Sequence, residues 1–216
     1  GWQVASCGAE PIAHDTIDRF AEAFAPAGFR REAFFPAYGM AEYTLLISLK
    51  RESVAPTVLS LDPATLERGV VSEAKAGIAP VRQVVGCGIP VGDSRVVIAH
   101  PETLSRCAAQ QVGEIWLAGA STTQGYWNNP EETARTFGAT LRDTGEGPFL
   151  RTGDLGFVRD GEVFVTGRLK DLLIVRGRNH YPQDIERTVE QSHRLFRGGG
   201  AAAFSVQDAG EEVVVV

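Results

Sequence analysis

Three short segments of the chain concentrate side chains that suit a charged ligand bearing hydroxyl groups. Residues 38–42, Tyr-Gly-Met-Ala-Glu, combine a flat aromatic ring, which suits a purine, with a carboxylate of the kind that hard cations prefer. Asp154, within the run Arg-Thr-Gly-Asp-Leu-Gly at 151–156, can accept hydrogen bonds from two adjacent hydroxyls. Arg168, in a charged turn that begins at Thr166, can donate to two oxygens of one ligand. Each segment could therefore hold a different part of such a ligand.

Each segment also has a purely structural interpretation. Asp154 could cap a turn between Gly153 and Gly156, and Glu42 could be a solvated residue after a Tyr-Gly turn. Taken alone, neither segment decides between a turn and a binding site. The functional interpretation depends on the occurrence of all three segments in one order.

In that order, the segments resemble the adenylate-forming enzymes, which use ATP to convert a carboxylate into an acyl-adenylate. The run Arg-Gly-Arg-Asn-His-Tyr-Pro-Gln-Asp-Ile-Glu at 176–186 resembles the fatty acyl-AMP ligases in particular. The resemblance implies an α/β fold. Residues 1–168 would be the C-terminal portion of a large adenylation domain, with α/β layers and a small β-rich subdomain. Residues 169–171 would be a hinge, and 172–216 the start of a small α+β C-terminal domain.

The resemblance also implies ATP and Mg²⁺ as cofactors and gives each segment a role. Adenine would lie against Tyr38, in the segment that continues through Gly39 and Met40, and Glu42 would help to hold the magnesium. Asp154 would bind the ribose, Arg168 would bind the ribose or a phosphate, and Lys170 would be the hinge residue. Glu42 and Arg168 are the residues expected to act in catalysis.

The run Ser-Cys-Gly-Ala-Glu-Pro at 6–11 resembles a fourth family segment, a turn whose backbone lies along the adenine edge. It assigns nucleotide contacts to Gly8, Ala9, Glu10 and Pro11. The glycine allows a close approach and the proline fixes the turn, but an ordinary strand-to-helix loop would have the same composition.

Two further features suggest chemistry but have simpler explanations. The stretch from Gly119 to Gly125 contains hydroxyl side chains but lacks the Gly-Lys-Ser/Thr ending of a phosphate-binding loop, so we interpret it as architecture. His180 could be a general base. However, a carboxylate is already ionised at neutral pH, and its adenylation needs no strong base, so a packed or surface histidine is the simpler interpretation.

The elements that must position these residues follow from apolar spacing and turn residues. We predict helices over 15–25, 63–68 and 182–195, and one that starts at Asn129-Pro130, with Asp15 and Asn129 as caps. We predict strands over 2–6, 81–85, 95–99 and 114–118, a Phe34-Phe35 strand that enters a Tyr38-Gly39 turn, and a hairpin over 157–165 that turns at Asp160-Gly161. After Lys170 the order is a strand, a polar turn, a helix and two strands, with a flexible connection at Gly198-Gly199-Gly200.

Composition limits the partners. A net charge of −6 provides no basic field for nucleic acid. No apolar run approaches the roughly 20 residues that span a bilayer, so we expect no transmembrane segment. Three dispersed cysteines favour reduced, buried thiols and a cytoplasmic location. Both ends of the sequence resemble the interior of strands, so we expect an internal fragment, with the phosphate-gripping loop and the distal lysine of the family outside it.

Three functions are consistent with these features. A fatty acyl-AMP ligase would pass a fatty acyl-adenylate to the phosphopantetheine thiol of an acyl carrier protein. An acyl-CoA synthetase would use free CoA instead. A degenerate module would bind an adenylate without catalysis, although the presence of Glu42, Asp154 and Arg168 argues against this. The segment Val54–Gly77 favours the first function, because fatty acyl-AMP ligases carry an extra segment near here that hinders the use of CoA.

Overall fold

Two four-stranded sheets form the frame that positions the three polar segments. The computed structural model describes residues 1–75, 77, 80–196, 200–208 and 211–216. The helices in that part are α1 His14–Phe24, α2 Pro63–Leu66, α3 Pro130–Phe137 and α4 Pro182–Ser192. The strands are β1 Ala5–Cys7, β2 Phe34–Met40, β3 Leu45–Leu49, β4 Val58–Leu61, β5 Arg82–Val85, β6 Ile89–Pro90, β7 Arg95–Ala99, β8 Gly113–Ala118, β9 Leu150–Arg159, β10 Glu162–Arg168, β11 Leu173–Val175, β12 Arg178–His180, β13 Phe204–Asp208 and β14 Glu211–Val215.

The first sheet has the strand order β1-β2-β3-β6 and contains the parallel pair β1–β2, connected through α1. Ile17 of α1 is 1% exposed and packs in one cluster with Ala5 and Phe34 of these strands. The predicted helix is confirmed, but its predicted cap is wrong. Ala13 occupies the N-cap without a side-chain hydrogen bond, and Asp15 lies within the first turn. The first strand also begins later than predicted, at Ala5.

The predicted turn at Tyr38-Gly39 is wrong, because β2 continues through both residues to Met40. The register of β2 against β3 shifts between Tyr38 and Gly39. A Cβ atom on Gly39 would lie 1.9 Å from the carbonyl oxygen of Leu45, so glycine is required here for close strand contact and not for a turn. The chain turns instead at Ala41–Tyr43, a one-turn 3₁₀ helix that contains Glu42.

The second sheet has the order β10-β9-β8-β7 and is antiparallel throughout. The predicted β9–β10 hairpin is confirmed: Asp160 and Gly161 both have positive φ, 53° and 78°, as a tight two-residue turn requires. Asn129 caps α3 as predicted, with its side chain accepting from the Glu132 N–H at 3.2 Å. The hairpin therefore places Arg168 directly across from Asp154 in the register.

One apolar cluster joins the two sheets. Its fully buried members include Tyr43 and Ile47 from the first sheet's side and Ile115, Leu117 and Val163 from the second. Burying side chains of this size stabilises the fold by about 1.5–3 kcal/mol each. This shared core fixes the end of β2 relative to β9.

The Val54–Gly77 segment is part of a core. The predicted helix is present as α2, but β4, which pairs with β5, was not predicted. Leu61 and Leu66 are 0% and 1% exposed and pack with Phe157 and Phe164 of the β9–β10 hairpin.

After Arg168 the chain forms a 3₁₀ turn, Leu169–Asp171, followed by the β11–β12 hairpin and α4. The residues predicted as a second polar turn include strand β12. The later strands β13 and β14 pair with each other, as a strand–strand order predicts. The predicted flexible connection at Gly198-Gly199 lies outside the described residues. The division into domains at 169–171 stays a prediction.

The cysteines in the structure, Cys7, Cys87 and Cys107, are free thiols. Burial raises the pKa of Cys87 to about 12, so this thiol stays protonated. None of the helices in the described part of the chain is long and apolar enough to cross a membrane.

Candidate functional site

Asp154 lies in a bulge of β9, an interior strand of the second sheet, and its side chain reaches Tyr38 of the first sheet. Between Arg151 and Leu155, three residues of β9 stand opposite the single residue Ile115 of β8. Gly153, within this bulge, has a φ of 71°, which glycine adopts without strain. The Thr-Gly-Asp run is thus a distortion inside a strand and not a free turn.

The carboxylate of Asp154 joins two of the other predicted site residues. The Tyr38 hydroxyl donates to Oδ2 at 2.7 Å, and Nε of Arg168 lies 3.3 Å from Oδ1. The Asp154 side chain is 12% exposed, whereas that of Arg168 is 60% exposed. An ionised carboxylate can accept about four hydrogen bonds. Acceptor positions therefore remain for a ligand beside a solvent-facing guanidinium.

The electrostatic balance at Asp154 is set by burial. Burial raises the pKa of the carboxyl group above its ordinary value, the Tyr38 hydrogen bond and the Arg168 charge oppose this rise, and the Glu42 carboxylate adds to it. Burial, followed by the Asp154 charge, raises the pKa of Tyr38 well above its ordinary value, so Tyr38 remains a neutral donor. The group is therefore a partly desolvated carboxylate, which is typical of functional sites.

Tyr38 itself is only 8% exposed and belongs to the core that joins the sheets. Its hydroxyl is engaged by Asp154, and Met40, two residues on, is half-buried against the same core. The contact of the Tyr38 ring with adenine stays a prediction. The structure gives Tyr38 a second function, the support of Asp154.

Glu42 contacts the loop around Gly119–Gly125, for which the sequence predicted only a structural role. The Tyr126 hydroxyl donates to Glu42 Oε1 at 2.7 Å, and the Thr123 N–H donates to the Glu42 carbonyl at 2.9 Å. Burial, together with the hydrogen bond to Glu42, raises the pKa of Tyr126 to about 12. Tyr126 was missed because it lies 84 residues from Glu42 in sequence, and no local pattern reports such a contact.

The loop after β1 holds the fourth segment beside the end of β2. Gly8 is exposed, yet a Cβ atom there would lie 2.7 Å from the Ala37 carbonyl oxygen. Ala9 has a φ of 69°, and residues 8–11 are exposed to solvent along this edge. The structure therefore brings Gly8 next to Ala37, in the strand that carries Tyr38 and Gly39, and Ala9, Glu10 and Pro11 follow in the same exposed loop. Their contact with adenine stays a prediction.

The remaining candidates lie around this centre. The Gly119–Gly125 stretch is tied to the Glu42 turn, with Thr44 Oγ1 donating to the Ser121 carbonyl at 2.8 Å. Lys170 lies in the 3₁₀ turn that follows Arg168 and is exposed to solvent. Nδ1 of His180 lies 3.9 Å from Glu67, within a structural contact of β12.

The residues present suit a magnesium ion bound mainly through a ligand. Among the described residues, no group of three or more His, Cys, Asp and Glu could hold a metal ion without other ligands. Mg²⁺ in phosphoryl chemistry is typically held by one or two carboxylates and by the phosphates of the substrate. The half-buried carboxylate of Glu42 could supply the protein oxygen.

Similarity to known proteins identifies the family of the chain. The sequence profile described as "AMP-binding enzyme" matches residues 1–127. The medium-chain-fatty-acid–acyl-carrier-protein ligase JamA of Moorena producens is 52% identical over 218 residues, a match that covers 100% of this chain and 37% of JamA. A Mycobacterium leprae protein, fadD21, which carries a fatty-acid–CoA ligase name, is 44% identical over 216 residues, covering 97% of this chain and 36% of that protein.

Among solved structures, a fatty acyl-adenylate ligase from Legionella pneumophila, in complex with acyl adenylate and pyrophosphate, superimposes with a TM-score of 0.75. It is 41% identical and is covered over 37% of its length, against 99% of this chain. The chain thus spans about a third of the length of these relatives. It belongs to the AMP-binding enzyme family, and the resemblance of its motifs to those of the fatty acyl-AMP ligases is confirmed.

Proposed function

We propose that the protein containing this chain activates a fatty acid with ATP. The carboxylate of the fatty acid attacks the α-phosphorus, pyrophosphate leaves, and an acyl-adenylate forms. The phosphopantetheine thiol of an acyl carrier protein then attacks the acyl carbonyl, a thioester forms, and AMP leaves. This chain would supply the half of the site that holds the adenosine and the metal, in a cytoplasmic enzyme.

The observation that carries this proposal is the Tyr38–Asp154–Arg168 group. It offers free acceptor positions on a fixed carboxylate, which suits the two hydroxyls of a ribose, and an exposed guanidinium for a phosphate oxygen. Glu42 lies in the turn that directly follows β2, the strand that carries Tyr38, so its carboxylate could meet a magnesium ion on the phosphates. In such a site, positioning and electrostatics supply most of the acceleration.

We further propose that residues 1–168 belong to the large domain, that 169–171 are the hinge with Lys170 at its centre, and that 172–216 begin the small domain. The solvent exposure of Lys170 and its position two residues after the ligand-binding Arg168 support this division. A turn residue that changes φ and ψ there could reorient residues 172–216 without moving the nucleotide contacts.

The experiment is a two-step assay of the full-length protein. Fatty-acid-dependent exchange of pyrophosphate into ATP measures the first step, and loading of a phosphopantetheinylated carrier protein or of CoA from preformed adenylate measures the second. We expect exchange and carrier loading, with poor use of CoA. Efficient formation of acyl-CoA would favour the second candidate, which the similarity to fadD21 supports. Adenylate binding without exchange would indicate a non-catalytic module.

A further inference from the structure

The bulge that presents Asp154 is fastened to the neighbouring strand by a buried carboxylate outside the predicted site. Glu114 of β8 is 2% exposed, although it is a charged residue. Its Oε1 accepts the Gly153 N–H at 3.1 Å, and its Oε2 accepts Nη2 and Nε of Arg151 at 2.7 and 3.0 Å. The Glu114 side chain therefore binds both Arg151, the residue before the bulge, and Gly153, in the middle of the bulge.

The next residue of β8 completes the attachment. Thr152 Oγ1 donates to the Ile115 carbonyl at 2.7 Å and accepts the Asp154 N–H at 3.0 Å. The backbone of residues 152–154, which has no regular pairing with β8, is thus held by Glu114 and Ile115. The Asp154 side chain remains available for Tyr38 and Arg168 on the other side.

A buried ion pair is weak evidence for stability, because desolvation of the charges offsets most of their attraction. The Glu114–Arg151 pair alone would therefore need no functional explanation. The additional bond to the Gly153 N–H distinguishes this carboxylate, because it acts on a left-handed glycine next to Asp154. A change at Glu114 would free that peptide group and let the Asp154 carboxylate move.

We propose that Glu114 is a positioning residue for Asp154: its buried carboxylate holds Gly153 and Arg151 so that the Asp154 carboxylate keeps its place for the ribose of the nucleotide. The identification of the ligand as a ribose rests on the proposed function. Glu114 acts through Asp154 and touches no substrate.

The variants are Glu114→Ala, which removes both attachments, and Glu114→Gln, which keeps an oxygen for the Gly153 N–H. Glu146→Ala is the matched control, because Glu146 also pairs with arginines, in an exposed position. Each is made in the full-length protein, with and without Asp154→Asn, and AMP affinity is measured by calorimetry. We expect Glu114→Ala to weaken AMP binding about tenfold when Asp154 is present and less than about twofold when it is Asn, as residues acting through one contact are not additive.

Glu114→Gln should retain most of the affinity, and Glu146→Ala all of it. A merely structural role predicts a different result: Glu114→Ala would weaken binding by the same factor in both backgrounds, and that result would overturn the inference. If Glu114→Ala fails to fold, Glu114→Gln provides the test. When amide hydrogen exchange at Gly153 is the same in Glu114→Gln as in the wild type, retained AMP affinity supports the inference. Lost AMP affinity with unchanged hydrogen exchange at Gly153 refutes it.

Amide hydrogen exchange at Gly153 separates this inference from the proposed function. Loss of the Glu114 acceptor should accelerate that exchange with no nucleotide present. If the wild-type protein neither binds AMP nor exchanges pyrophosphate, the proposed function fails, whereas faster exchange at Gly153 in Glu114→Ala would still show that Glu114 fixes the bulge. Unchanged exchange at Gly153 would overturn the positioning role, whatever the protein binds.

Discussion

Replacing Asp154 with Asn should separate function from stability, because burial opposes the charge that nucleotide binding requires. The substitution keeps an oxygen that can accept from Tyr38 but removes the charge. In the full-length enzyme, the two ribose hydroxyls would lose their charged acceptor, which costs about 1.5–3 kcal/mol. We therefore expect pyrophosphate exchange to fall by about one to two decades.

The stability should barely change, or should rise. The Arg168 partner is 60% exposed, and such a pair contributes only about 0–1 kcal/mol. The pKa of Asp154 is raised in the folded state, so the folded protein resists ionisation of this group. The carboxyl's contribution to stability is therefore lost as the pH rises from its ordinary pKa of about 3.9 through the raised value, and is constant above it. The Asn variant lacks this loss, so its stability relative to wild type should increase across that window.

Asp154→Ala is the contrasting variant, because it also leaves the buried Tyr38 hydroxyl without its acceptor. It should lose activity as Asn does and should in addition lose about 1–3 kcal/mol of stability. Exchange assays measure the activity, and urea unfolding at a series of pH values, from about 3, below the ordinary carboxyl pKa, up to neutral pH, measures the stability. An unchanged exchange rate in the Asn variant, with a lower melting temperature, would mean that Asp154 is a turn residue and that the proposed ribose contact is wrong.

Three further changes test other parts of the proposal. Tyr126→Phe removes the hydroxyl that donates to Glu42. Pyrophosphate exchange should slow about two- to tenfold, as expected for the loss of one neutral donor to a carboxylate. An unchanged rate at every Mg²⁺ concentration would show that Tyr126 does not support Glu42. Lys170→Pro fixes φ near about −65° and should slow thiol transfer much more than adenylation, whereas equal slowing of both steps would remove Lys170 as the hinge. Deletion of residues 54–77 should prevent folding rather than increase the use of CoA, because Leu61 is fully buried in the core; a folded deletion variant, seen by circular dichroism and a cooperative melt, would contradict that packing argument.

The sequence suggested candidate site residues but not the contacts between them. Asp154 and Arg168 were identified by residue type and by their order in the chain, and the structure places them across one hairpin. Tyr38 was expected to serve adenine, yet its hydroxyl bonds to Asp154, 116 residues away. A contact of that kind depends on how the two sheets pack, and no local pattern encodes it.

Backbone pairing between strands explains two of the errors in the predicted elements. Glycine at 39 suggested a turn, but it serves a close approach of two strands. Arg178–His180 lacks the apolar alternation of a strand, yet it pairs with Leu173–Val175 through the backbone, and the Asn179 N–H donates to the Glu67 carbonyl at 3.0 Å. Periodicity reports which face of a segment is buried. It does not report pairing that is driven by backbone hydrogen bonds.

Rotation about the proposed hinge would have to break a packed contact. Tyr181, in the segment after Lys170, is 4% exposed and lies in the core with Leu66 and Phe164. Its ring lies under the Arg82 guanidinium at 4.0 Å, and a Cβ atom on Gly167 would lie 2.8 Å from it. Re-exposing a side chain of this kind costs a few kcal/mol, about 1.5–3 for a large apolar residue. A small domain that turns at Lys170 must therefore gain comparable contacts in its second position, and Tyr181 is the residue whose burial would report which position is populated.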